Sequence, residues 1–96
     1  MINIMQQVKI KIYGRVQGVG FRYFVYLNAK KQNVTGYVKN LPDGTVEALF
    51  EGDEKQIHEM IRICKKGPPM AKVDRIEIIG RKHIDSSEYE DFSIIR

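Results

Sequence analysis

The chain has 96 residues, 43% hydrophobic and 29% charged, with 16 Lys and Arg against 12 Asp and Glu for a net charge of +4. Those proportions suit one small globular domain (1–96) with a single core and exclude a disordered chain. One cysteine excludes an internal disulfide and a zinc centre built on paired thiolates. No apolar run approaches the roughly 18 residues of a membrane span. The first seven residues, Met1 to Gln7, lack a basic segment followed by an apolar block, so no secretion signal is expected and the location expected is cytoplasmic. The mild positive charge suits an anionic partner of any size and selects none.

Along the chain, Val8, Ile10 and Ile12 alternate with Lys9, Lys11 and Tyr13, the period of a half-buried strand, leaving residues 1–7 as a short N-terminal extension. A glycine-rich turn follows from Gly14 to Gly20. The segment from Phe21 to Lys31 puts Phe21, Phe24, Val25 and Ala29 on one helical face. Val34 to Leu41 and Thr45 to Glu51 read as strands joined at Pro42-Asp43-Gly44, where proline presets φ and glycine tolerates a positive one. Asp53 and Gln56 resemble a capping box ahead of a helix with Ile57, Met60, Ile61 and Cys64 at helical spacing. Lys65-Lys66-Gly67-Pro68-Pro69 supplies a basic last turn and a stop. Val73, Ile76, Ile78 and Ile79 form a further strand, and Phe92, Ile94 and Ile95 a short terminal one after a polar loop from Lys82 to Asp91. This order predicts a ferredoxin-like βαββαβ sandwich of the α+β class. Its antiparallel sheet of four to five strands carries two helices on one face.

Such a fold hosts many functions, so function must be sought in a site. The informative stretch is Gly14-Arg15-Val16-Gln17-Gly18-Val19-Gly20-Phe21-Arg22, which leaves a strand and enters a helix. The first N–H groups of a helix have no partner within it, and glycines let successive amides turn toward one anionic oxygen. Glycines alone would equally make a plain tight turn. Arg22 tips the reading, because a cation in the first helical turn opposes the helix dipole unless an anion sits there. Its fork suits two phosphoryl oxygens. Neither the nucleotide P-loop nor the dinucleotide glycine spacing is present. Asn40 is a poor strand former near the end of a strand: it either starts the turn or holds a water or phosphoryl oxygen with its amide.

Together these segments resemble the two fingerprints of the acylphosphatase family, Gly14 to Arg22 for the first and Gly36-Tyr37-Val38-Lys39-Asn40 with Gly44, Val46 and Gly52 for the second. The resemblance runs from about residue 8 to the end and includes the Gly-Pro-Pro after the second helix and Tyr89-Glu90-Asp91-Phe92. It implies hydrolysis of a small acyl phosphate to carboxylate and inorganic phosphate without metal or cofactor. It assigns phosphate binding to Arg22, water orientation to Asn40, and a cradle to the backbone of Val16, Gln17, Gly18, Val19, Gly20 and Phe21. Arg96 at the end of the chain departs from the family pattern. The implied chemistry needs few groups. The leaving carboxylate has a conjugate acid of pKa roughly 4, so it departs without a general acid, and phosphoryl transfer depends mostly on positioning and electrostatics.

Other residues attract attention and carry less. His58 and His83 lack partners at metal-ligand spacing. Cys64 continues an apolar stripe and reads as packing. His83, Asp85 and Ser86 read as a solvated loop, because triads assemble in space rather than in consecutive residues. Arg15 is a candidate for charge at the loop rim. A nucleic-acid module of this strand order would stack bases on several central aromatics, whereas Thr35 to Asn40 offers Tyr37 alone. Acylphosphatase-like domains also begin hydrogenase-maturation carbamoyltransferases, so a phosphate- or carbamoyl-phosphate-binding module is the alternative. The short chain favours a stand-alone, monomeric hydrolase with neither nucleic acid nor membrane as partner.

Overall fold

The computed structural model describes residues 4–96, so residues 1–3 of the expected extension lie outside the described residues. In chain order the elements are β1 (Met5–Arg15), α1 (Phe21–Lys31), β2 (Thr35–Asn40), β3 (Val46–Gly52), α2 (Glu54–Lys66), β4 (Lys72–Ile84) and β5 (Phe92–Ile95). The strands form one sheet in the order β4-β1-β3-β2-β5. Alternation decides which face meets the helices. Val8, Ile10 and Ile12 of β1, Val38 of β2, and Val46, Ala48 and Phe50 of β3 are fully buried, and they pack with Phe21, Val25 and Ala29 of α1 and Ile57, Met60 and Cys64 of α2.

The two helices begin differently. Asp53 caps α2: its Oδ1 accepts from Gln56 N at 2.8 Å, while Gln56 Oε1 accepts from Asp53 N at 2.9 Å. That is the expected capping box, and it partners amides that would otherwise be left over. At α1 the N-cap is Gly20, with φ 77°, and no side chain caps the turn that follows.

Two boundaries depart from expectation by three residues or more, and one pairing differs in direction. β1 starts at Met5 rather than Val8, because Gln6 pairs with Gly52 on one side and His83 on the other. Two neighbouring strands hold this polar stretch where its own pattern is silent. β4 runs on to Ile84 through Arg81-Lys82-His83; it is an edge strand with exposed side chains, so polarity does not end it. The sheet is also mixed rather than antiparallel, since β5 lies parallel to β2, with Gly36 opposite Phe92 and Lys39 opposite Ile95.

The loop between β4 and β5 makes that parallel pairing. It crosses the face away from the helices and is tied down by Glu51, a carboxylate only 1% exposed. Glu51 accepts from Gln7 Nε2 (3.0 Å), Thr35 Oγ1 (2.7 Å), Glu88 N (2.9 Å) and Tyr89 N (3.2 Å). A buried carboxylate is tolerable when its lone pairs are filled in this way. The loop then delivers Phe92 against Phe50, with ring centroids 5.8 Å apart, and carries the chain end past Asn40.

Candidate active site

The loop from Val16 to Gly20 lies between the end of β1 and the start of α1. Gly18 has φ 74° and Gly20 φ 77°, conformations that L side chains rarely adopt, and open space surrounds the position a Cβ would take at each. Backbone angle, not crowding, therefore explains these glycines. Helix α1 has no acidic residue in its first turn, and its first helical bond runs from Phe24 N to Gly20 O at 3.1 Å. The positive end of the dipole is thus left facing outward, with Arg22 adding a full charge beside it.

A cavity of about 220 Å³ opens at this helix start, lined by Val16, Gly18, Gly20, Phe21, Arg22, Tyr23, Asn40, Ile94 and Arg96. Arg22 and Asn40, 18 positions apart in sequence, face the same hollow with four of the six residues expected to form a cradle. The other two behave differently. Val19 packs against the core, and the Gln17 side chain turns to the β2–β3 hairpin, where its Nε2 donates to the carbonyls of Leu41 and Thr45 at 2.8 Å each. Arg15 does not reach the lining.

Asn40 ends β2, opposite Val46. Its Oδ1 is buried and has no hydrogen-bond partner among the described residues. Buried polar atoms are nearly always partnered, and an orphan of this kind costs about 1–3 kcal/mol. The cost is sustained where a ligand or water supplies the missing donor. The turn after Asn40 is firmly built: Leu41 N donates to Thr45 O (2.9 Å), Asp43 Oδ1 accepts from Thr45 N (3.0 Å), and Lys11 Nζ lies 2.8 Å from Asp43 Oδ2. The Lys11 ammonium, with help from Thr45, holds the Asp43 carboxyl well below the usual carboxylate range.

Three lining residues, Tyr23, Ile94 and Arg96, were not singled out as site residues from sequence. Tyr23 directly follows Arg22 in sequence. Ile94 and Arg96 depend on β5 lying beside β2, which local pattern does not encode. A larger hollow of about 570 Å³ lies between the helices and Gly67-Pro68-Pro69. Its Arg62 is paired with Glu59, and its Asn28 amide donates to the Phe24 carbonyl at 2.8 Å. It has no counterpart to the glycine amides and orphan oxygen. Cys64 is buried, and burial pushes its thiol up to about 12, the opposite of an activated nucleophile. Among the described residues no three His, Cys, Asp or Glu side chains are grouped to hold a metal, and no helix is long and apolar enough to cross a membrane.

An uncapped helix start behind a glycine loop, with a guanidinium and an unpartnered amide oxygen on one hollow, is an arrangement whose chemistry suits a small tetrahedral oxyanion, here on an α+β sandwich. The acylphosphatase family model matches residues 8–94. An acylphosphatase from Syntrophotalea carbinolica is 46% identical over 88 residues, covering 92% of this chain and 94% of that one. The crystal structure of acylphosphatase from Bacillus subtilis superposes with a TM-score of 0.84 at 42% identity, covering 95% of this chain and 99% of the other. The crystal structure of T. kodakarensis HypF matches 94% of this chain with a TM-score of 0.77 at 41% identity, but over 12% of its own length. The chain belongs to the acylphosphatase family.

Proposed function

We propose that this chain hydrolyses small acyl phosphates to a carboxylate and inorganic phosphate, with Arg22 and the loop amides holding the phosphoryl group and Asn40 holding the water. The observation that carries the assignment of roles is the buried, unpartnered Asn40 Oδ1 on the same hollow as Arg22 and the uncapped start of α1. Phosphoryl oxygens accept from the amides and the guanidinium, which draws charge onto the equatorial oxygens where the loose transition state places it. Asn40 Oδ1 accepts from a water and aims its oxygen at phosphorus. The new P–O bond forms as the bond to the carboxylate oxygen breaks, and the carboxylate leaves with the electron pair. An amide has no useful basicity, so the water's proton passes to a phosphoryl oxygen or to solvent. Activity without a cofactor, as a cytoplasmic monomer, completes the reading.

Benzoyl phosphate hydrolysis in excess chelator tests it, with carbamoyl phosphate as comparator. Activity should persist in chelator, and Arg22→Ala should lower kcat/KM by about 10²–10³-fold, the effect of deleting one donor from an oxyanion site. An Arg22→Ala variant as active as the parent, or activity abolished by chelator, overturns the mechanism. A strong preference for carbamoyl phosphate would favour the alternative substrate.

A further inference from the structure

Gln17 contributes main chain to the loop, yet its carboxamide points away from the cavity and joins two parts of the site that lie 20 or more residues apart. Its Nε2 spends both hydrogens on the hairpin, one on Leu41 O and one on Thr45 O. Leu41 follows Asn40 directly, and Thr45 precedes Val46, which pairs with Asn40 across the ladder. Both carbonyls therefore lie one step beyond the Asn40–Val46 pair, on its turn side.

Satisfaction of the turn does not require these bonds. Leu41 O already accepts from Gly44 N (3.1 Å), and Thr45 O already accepts from Leu41 N (2.9 Å). The turn is also braced from outside the loop by Lys11 through Asp43. What the Gln17 amide adds is a direct tie between the loop proposed to hold phosphate and the strand end proposed to hold water. A planar NH₂ with two hydrogens reaches both carbonyls at once; a hydroxyl offers one hydrogen, and asparagine is a methylene shorter.

We infer that Gln17 is a positioning residue for the hydrolysis, fixing the separation between the phosphoryl site and Asn40 Oδ1. The inference rests on the roles proposed for Arg22 and Asn40. In-line attack tolerates little error, and a displacement near 1 Å costs on the order of 10²-fold in rate.

The test is a double-mutant cycle on benzoyl phosphate. Gln17→Met keeps the length and removes both donors. It should lower kcat by about 10–100-fold, while inorganic phosphate still inhibits with a constant changed by less than about threefold. Introduced into Asn40→Ala, the same change should alter kcat by less than about twofold, because the group it positions is gone. A merely structural glutamine would lower activity equally in both backgrounds. Should Gln17→Met not fold, Gln17→Glu, which also lacks the donors, is scored by the same cycle. Full kcat in the Gln17 variant, or equal losses in the two backgrounds with Asn40→Ala itself impaired, overturns this inference alone. Unimpaired Asn40→Ala overturns it together with the reading on which it rests.

Discussion

Replacing Asn40 with leucine separates what the residue does for the fold from what it does for the chemistry. The side chains are nearly equal in size, and the change deletes an oxygen that is buried and unpartnered. Leaving a carbonyl oxygen in that state costs about 1–3 kcal/mol, whereas an apolar group of the same shape carries no such cost. Solvent entering the hollow returns part of it, so a net stabilisation of about 1 kcal/mol is expected. For a domain of this size that raises the thermal midpoint by roughly 4–8 °C. Turnover should fall by about 10²-fold or more in the same variant, the trade expected where function holds a strained or unsatisfied group. Circular dichroism melts and benzoyl phosphate hydrolysis on one preparation read both quantities. A lowered midpoint together with unchanged turnover would mean that Oδ1 is satisfied within the fold, and the reasoning would fail.

The fold supports further tests. Gly36 has φ 133°, and an added Cβ would meet the Leu49 carbonyl oxygen at 1.9 Å, so Gly36→Ala should cost about 3 kcal/mol or more. A variant melting within 2–3 °C of the parent would contradict the β2–β3 register (about 4–8 °C per kcal/mol). Cys64 should resist thiol reagents in the native protein and react fully in denaturant; fast native labelling would place it outside the core. Asp43 has its folded pKa lowered by Lys11, so its contribution is present above the ordinary carboxylate value and lost as pH falls toward the folded one. Asp43→Asn should therefore lower the midpoint modestly at pH 7, since its side chain is 51% exposed, and by clearly less near pH 2. An equal effect at both values would dismiss the ion pair.

Local rules reached some elements and not others. Alternation in Val8-Lys9-Ile10-Lys11-Ile12 and the Asp53–Gln56 box lie within a few residues, and they appear in the fold as expected. The glycine loop was equally plain because Arg22 conflicts with the dipole of its own helix. What escaped depends on distant partners. β5 lies parallel to β2 after a loop whose Glu88 and Tyr89 amides are held by Glu51, 37 and 38 positions away in sequence. Ile94 and Arg96 reach the cavity only as a result. The Gln17 side chain was hidden for a similar reason: its neighbours suggest a backbone role, and its partners lie in the hairpin.

The most direct measurement is a titration of the labelled protein with inorganic phosphate, followed by the backbone amide resonances. The resonances of Gly18, Val19, Gly20 and Phe21 should shift together and saturate, and the same titration should weaken in Arg22→Ala. Shifts that gather instead around Lys66 and Ala71 in the larger hollow, or a loop indifferent to phosphate, would contradict the account at its centre.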